Sequence, residues 1–539
     1  MKRRIIVLTA LAVAGWLAAS AGTTDVLAKD GDRAPGLWPL AQSMKAVHRF
    51  STLFTAQDVR DRLSAEEGLD GAIAWCRATG VTKVYLEEYR DGYRADGAAI
   101  RHARERFLAA GCDVSGCVTT TRIGKSSTQW KNTISCYTDA GTQEQLQSIF
   151  EFAAGLFDEL MIDDFWFTNC DCPECDAARR AKAVTVGART FTVRGDTWED
   201  YRCELMTRVS QERVLAAARR VNPKVKLIIK YPQWYDEFHE RGYEVMRETA
   251  DFDRIWVGTE TRDYTDKSWG GTVQYEGCFL MRWLGGIGGA KCGGGWFDWL
   301  GTTEKTYVEQ ARQTVLGGAR ESMLFCYGGL QNGTGPKDVE ALRAELPALF
   351  EAAAQVRRSA VAGVAAYKPP NSHPESEPRV FDFVGMLGLP LAPCHEFPAD
   401  APAAFFSLHA AKDPDLAAKL SKFIAAGKPV LLTDGLARRL EGMLETRGGH
   451  VHILPVKGDP KSLLQLPQAE LDALRATLLG PLKLSLRAPA RVALYAFSDG
   501  SAVVENFNDA PVTVELNGKS LAVAPRDWVR TPCAASPGQ

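Results

Sequence analysis

Two adjacent carboxylates, Asp163 and Asp164, stand directly behind the apolar run Leu160-Met161-Ile162 and directly ahead of Phe165-Trp166-Phe167. An apolar run of that length suits a buried strand, so the pair falls at a strand end. Paired carboxyl groups suit glycosidic bond cleavage: one, protonated, gives its proton to the leaving oxygen, while a second stabilises or attacks the oxocarbenium-like centre. Two carboxylates in contact disfavour double ionisation, which keeps one protonated near neutral pH. The competing structural reading is that alternation along the strand turns one Asp outward, where it caps a turn or meets an arginine. Asp298 and Glu260 are the candidates for a partner carboxylate.

Aromatic residues crowd the same strand ends. Trp166, Tyr231, Trp296 and Trp299 are candidate platforms for the C–H faces of a sugar, although aromatics in general are more often core. Glu87 and Lys230, also at strand ends, complete the candidate binding set. Cys170, Cys172 and Cys175 follow within the same stretch. With Cys136 as a fourth ligand they would make a structural zinc site of four thiolates; one or two disulfides fit the spacing equally well.

These residues need a scaffold that gathers strand ends. The chain alternates strand-like and helix-like runs: strands at 44–54, 81–87, 113–121, 160–167, 225–231, 254–259, a seventh with its glycine-rich loop over 285–298, and an eighth at 322–327. Alternation of this kind indicates βα units and a parallel sheet. Eight units over about 315 residues predict a closed (β/α)8 barrel, whose active site lies in the loops after the strand C-termini. An open doubly wound sheet is the runner-up, but no G-x-G-x-x-G follows the first strand. The proline-rich stretch 368–378 ends the barrel. After it come short strand-like runs around a helix at 414–425, then short β-runs broken by turn signals from 491 onward. The expected organisation is a signal peptide over 1–21, the barrel over 40–366, a small α/β domain over 379–482 and a small antiparallel β domain over 488–533.

The chain has 539 residues, 64 basic against 66 acidic, and 45% hydrophobic residues, a balance that favours neither nucleic acid nor a membrane surface as a partner. Lys2-Arg3-Arg4, an apolar stretch to Ala19 and Ala19-Ser20-Ala21 read as a secretory leader with an A-x-A cleavage site. Export to a periplasm or beyond is therefore expected. The thirteen cysteines cannot all pair within the chain, and several lie in apolar runs as small buried hydrophobes.

A fourth barrel strand ending in acids, then C-x-C-P-x-C running into an Ala- and Arg-rich helix, with an earlier cysteine after the third strand, resembles the family 42 β-galactosidases. The resemblance implies a (β/α)8 barrel, a glutamine-amidotransferase-like α/β domain that trimerises in that family, and a small β domain. It also implies zinc on Cys136, Cys170, Cys172 and Cys175, an acid/base at Asp163 or Asp164, and Asp298 near the position of the nucleophile. The specific motif covers only 163–180, and the family's Asn-Glu at strand four and Glu at strand seven are replaced by Asp-Asp and by no comparable Glu. Adjacent aspartates after strand four also resemble the substrate-assisted hexosaminidases, which would make Asp163 and Asp164 the whole catalytic pair. The expectation is an exported glycoside hydrolase acting on an oligo- or polysaccharide, with no catalytic cofactor, structural zinc, and a trimer as the assembly to test. A carbohydrate-binding barrel without catalysis is the alternative.

Overall fold

The computed structural model describes residues 36–262, 273–444 and 449–532. The signal-peptide stretch, Asp263 and Trp269 lie outside them. Eight parallel strands, β1 (Arg49–Phe54), β2 (Val81–Arg90), β3 (Asp113–Val118), β4 (Glu159–Ile162), β5 (Lys226–Tyr231), β6 (Arg254–Gly258), β7 (Cys292–Asp298) and β8 (Glu321–Phe325), pair in chain order, and β8 closes on β1. This is the expected (β/α)8 barrel. A short antiparallel segment, Tyr93–Arg94, hangs on the end of β2.

Local chemistry sets the element ends. Thr55, Thr197 and Thr303 each cap a helix through a reciprocal capping box, and Asp96 and Asp139 cap two more with their carboxylates. Such caps contribute about 1 kcal/mol apiece. The helix Glu66–Thr79 stops at Gly80, whose φ of 68° is left-handed and free of penalty only for glycine.

The barrel interior is filled by a layer with one residue from every strand: Leu53, Tyr85, Cys117, Met161, Ile228, Trp256, Trp296 and Met323. Two such large tryptophans need room, and the glycines of β7 supply it. A Cβ on Gly294 would sit 2.5 Å from the Glu321 carbonyl oxygen and 2.9 Å from the Trp256 ring. The glycine run 285–295 is therefore not a loop: its first part closes the helix Glu276–Gly288 and its last part is strand.

Beyond the barrel, a parallel five-stranded sheet runs in the order Leu391–Cys394, Val364–Tyr367, Ala404–Phe406, Val430–Thr433, Val451–Leu454. Val364–Tyr367 lies before the proline-rich stretch, so the second sheet takes its inner strand from residues that the sequence assigned to the barrel's end. Two three-stranded antiparallel sheets follow, Leu486–Arg487 with Val512–Leu516 and Lys519–Val523, and Val492–Ala496 with Ser501–Asn506 and Asp527–Pro532. They are tied to the barrel helices by buried polar contacts. Gln313 donates to Tyr495 Oη and Glu505, and Arg312 pairs with Asp527 at 2.9 Å. The parallel second sheet has its own tie: Tyr235 Oη, after β5, donates to Asp382 of the helix Val380–Gly385 at 3.1 Å.

Candidate active site

Side chains alternate along a strand, so residues two positions beyond the interior layer also point into the barrel, one level nearer its C-terminal mouth. That level holds Glu87, Thr119, Asp163, Lys230 and Asp298, each two residues past Tyr85, Cys117, Met161, Ile228 and Trp296. Glu260 and Arg262 join it from the chain leaving β6, and Arg90 from the end of β2.

The groups form two linked clamps. In the first, Arg90 Nε donates to Glu87 at 2.7 Å and its Nη2 donates to Asp163 at 3.1 Å; Thr119 Oγ1 bridges the same two carboxylates. Glu87 also accepts from the Ala56 N–H at 2.9 Å. In the second, Lys230 Nζ donates to Asp164 at 2.6 Å and to Glu260 at 2.8 Å, and stands 3.8 Å from Asp163. Arg262 holds Asp298 through a charged hydrogen bond.

The two aspartates answer the alternation problem in an unexpected way. β4 ends at Ile162, and the Asp163 N–H still makes a ladder-type bond to the Val118 carbonyl. The chain then turns, so Asp164 swings inward to Lys230 instead of outward to the helices. Asp163 Oδ1 accepts the Asp164 N–H at 2.7 Å and so pins that turn. The neighbours also separate their acidities. Burial would raise Asp163, but Lys230 and Arg90, with hydrogen bonds from the Asp164 carboxyl and Thr119, hold it below the usual carboxylate range. For Asp164, burial together with Asp163 and Glu260 outweighs Lys230 and pushes the carboxyl well above that range. Burial also raises Glu260 against Lys230, with Asp298 adding to the rise. A pair of titratable groups pushed apart in this way is the pattern of an acid and an ion serving one reaction.

The aromatic candidates divide. Trp296 forms the floor, with its ring 4.2 Å from Lys230 Nζ and stacked on Phe325 at 5.2 Å; its faces are occupied by protein. Trp166 is 0% exposed and donates its indole N–H to Ser210 at 2.9 Å, and Tyr231 points outward against Phe238, Tyr243 and Thr249. These two are wall, not sugar platforms: Trp166 lies past the end of β4, and Tyr231 is the odd neighbour of Lys230. Trp299 is half-buried against Gly329 at the mouth and keeps the platform role open. Sequence reasoning passed over Arg90, Thr119 and Arg262. Arg90 had a readable signal, three residues past Glu87 on a long strand; the other two had none.

Close by, Cys136, Cys170, Cys172 and Cys175 are buried, with their sulfurs all within 4.8 Å of one another. Cys136 lies 3.8 Å from Cys172 and 3.6 Å from Cys175, and Cys172 lies 3.5 Å from Cys175. Tetrahedral zinc with Zn–S bonds of ~2.3 Å sets sulfurs about 3.8 Å apart, so the donor set fits that ion. Sulfurs at these separations are not disulfide-bonded, and every cysteine among the described residues is a free thiol.

The strand ends of the closed parallel barrel thus converge five carboxylates and three cations on one site. The chain belongs to the family described as "Probable glycosyl hydrolase, catalytic domain", which matches residues 38–364. It is 28% identical over 282 residues to the uncharacterized protein SSO3021 of Saccharolobus solfataricus, covering 49% of this chain and 46% of that protein, so the chain spans about half the length of that curated relative. Among solved structures it resembles α-L-fucosidase isoenzyme 2 from Paenibacillus thiaminolyticus, with a TM-score of 0.59 at 10% identity over 87% of this chain and 93% of that one. The exo-β-1,4-mannosidase Op5Man5 from an Opitutaceae bacterium aligns with a TM-score of 0.46 at 11% identity, over 90% and 91% of the two chains.

Proposed function

We propose that the protein is an exported glycoside hydrolase of oligo- or polysaccharides in which Asp164 is the general acid/base. The observation that carries this reading is the split within the Asp163–Asp164 pair: the raised, part-exposed carboxyl belongs to Asp164, while Asp163 is saturated by Arg90, Thr119 and the Asp164 N–H. Asp164 in its protonated form delivers a proton to the glycosidic oxygen. Asp298, kept beside Arg262, is the carboxylate that faces the positive charge developing at the sugar carbon. Glu260 and Lys230 set the acidity of Asp164, and Glu87 with Arg90 holds the β2 side of the site rigid. Saturation of Asp163 disfavours substrate-assisted chemistry, which needs a second carboxylate free to steady an acetamido group.

Turnover on a panel of aryl glycosides and plant, algal and bacterial polysaccharides tests the reading. Asp164→Asn and Asp298→Asn should each lose about 10²–10⁴-fold or more in kcat. Parent protein that binds a glycan from the panel without cleaving it would replace this reading with a carbohydrate-binding barrel.

The four-cysteine cluster is proposed to hold a structural zinc ion that ties the loop after β3 to the segment after β4, directly behind Asp164. Protein purified without chelator should carry zinc that Cys172→Ser loses. Zinc-free parent protein with unchanged folding would rule the ion out. Export is supported by the basic, then apolar, then A-x-A pattern at the N-terminus; the mature chain recovered from a periplasmic or secreted fraction should begin just after Ala21.

A further inference from the structure

A second cluster lies away from both the acid site and the cysteines. His239 and Glu240 sit on a short 3-10 turn after β5, Glu199 in the first turn of the helix Trp198–Val209, and His373 in the proline-rich linker between barrel and second sheet. Three separate segments thus bring two imidazoles and two carboxylates together, with one ligand atom from each within 4.8 Å of all the others. His239 Nε2 lies 2.9 Å from His373 Nε2, which is 3.3 Å from Glu199 Oε2; His373 Nδ1 is 3.4 Å from Glu240 Oε1.

We propose that Glu199, His239, Glu240 and His373 form a divalent-cation site, of the two-histidine, two-carboxylate type suited to zinc, that fastens the linker to the barrel. A tetrahedral ion with bonds of ~2.0–2.1 Å to nitrogen and oxygen sets its donors about 3.3 Å apart; here the donors lie within 4.8 Å of one another, with 2.9 and 3.3 Å about His373 Nε2, so small side-chain shifts close them on an ion. Donor chemistry agrees, since imidazole and carboxylate together suit zinc and its first-row neighbours. His239 is buried, and its Nε2 lies 2.9 Å from His373 Nε2 with the Glu199 and Glu240 carboxylates beside them.

The position also gives the ion a way in. Glu199 and His239 line a cavity of about 690 Å³ together with Glu244, Asn371 and Lys412. Asn371, two residues before His373, donates to Glu244 at 2.8 Å and pins the linker beside the cluster. On this arrangement an ion crosslinks the residues after β4, the residues after β5 and the linker, all on the side of the barrel from which Asp164 and Lys230 emerge.

The test is zinc binding by the full chain after chelator treatment, by equilibrium dialysis at micromolar zinc with metal analysis, for the parent and for His373→Ala and Glu199→Gln. Both substitutions fall on partly exposed side chains and leave the core untouched. The expected result is one zinc equivalent per chain fewer in each variant than in the parent, and a zinc-dependent rise in Tm that the variants lose. Cobalt substitution separates this site from the cysteine cluster. Thiolate-to-metal charge transfer is specific to a cysteine site, so His373→Ala should lower bound cobalt by one equivalent while leaving the charge-transfer band unchanged. Equal zinc content in parent and variants, or a difference that emerges only at millimolar zinc, would overturn the proposal. Glycosidase turnover is a separate readout, so either conclusion can fail without the other.

Discussion

The two ends of the barrel carry nearly the same constellation. At the strand starts Lys83 is buried between Glu159 at 2.7 Å and Glu321 at 3.3 Å, with Arg49–Asp113 and Arg254–Glu159 pairs around it. At the strand ends Lys230 is buried between Asp164 and Glu260. The two layers are related by the period of two: Lys83 and Glu159 stand two residues before Tyr85 and Met161 in the interior layer, and Glu87 and Asp163 two residues after them. Even a charged cavity is present at the base, about 500 Å³ lined by Arg49, Lys83, Glu159, Arg254 and Glu321. A lysine bridging two acids is therefore not by itself a catalytic signature.

Charge balance makes the difference. At the base Asp113, Glu159 and Glu321 pair with Arg49, Lys83 and Arg254, while Lys45, Arg320 and Arg357 line the same cavity, and Lys83 together with Ser115 holds Glu159 below the carboxylate range despite its burial. Among the described residues, Glu87, Asp163, Asp164, Glu260 and Asp298 at the mouth face Arg90, Lys230 and Arg262. Burial and the neighbouring carboxylates raise Asp164 and Glu260 despite Lys230. The base holds its acid low; the mouth pushes two acids up.

The sharpest way to break this comparison is to neutralise one acid at each end. Asp164→Asn should cost about 10²–10⁴-fold in kcat with little change in stability, whereas Glu159→Gln should leave kcat near that of the parent. Comparable losses of turnover in both would erase the distinction. Next in size is the removal of each lysine. Lys83→Met leaves the buried Glu321 without its cation and Glu159 with Arg254 alone, and should cost about 3–5 kcal/mol in denaturant unfolding. Lys230→Met should in addition move the alkaline limb of the kcat/KM profile to higher pH, because Lys230 is the group that lowers the pKa of Asp164; a limb that stays in place or moves down contradicts the assignment of the acid.

The pH dependence of stability has opposite signs at the two ends. Glu159, with a lowered folded pKa, contributes stability that is present above its unfolded value of ~4.3 and disappears as pH falls through the folded value. Glu260, with a raised folded pKa, contributes stability that is complete below ~4.3 and disappears as pH rises through the folded value. Glu159→Gln should therefore destabilise at neutral pH and approach the parent in acid. The smallest expected effect is that of Glu260→Gln: a small gain in stability at neutral pH that vanishes below pH ~4. Thermal unfolding across pH 3–8 checks both signs.

Much of this was legible in the chain. The βα alternation marked all eight barrel strands, and the strand ends marked Glu87, Asp163, Asp164, Lys230, Glu260 and Asp298, because the barrel brings strand C-termini to one face whatever fills the loops. The cysteines were legible as a cluster but not as thiols or disulfide, since spacing leaves sulfur separation open. The aromatics were the weakest reading. Trp166 and Tyr231 look like Trp299 in sequence, yet face depends on where a strand stops, and β4 stops at Ile162 whereas the expected strand ran over 160–167. The inner strand Val364–Tyr367 was invisible because short apolar runs read alike in a barrel and in a neighbouring sheet.

By itself the sequence determined the period-two rows that make an ion-paired layer and a carboxylate layer, since alternation is a property of the extended backbone. Which aspartate carboxyl is raised and which is lowered was decided only in three dimensions. The turn after Ile162 carries Asp164 inward to Lys230, and the convergence of β2, β3 and β5 surrounds Asp163 with Arg90, Thr119 and Lys230. Acidity depends on the charges within a few ångströms, and those arrive from strands far apart in the chain.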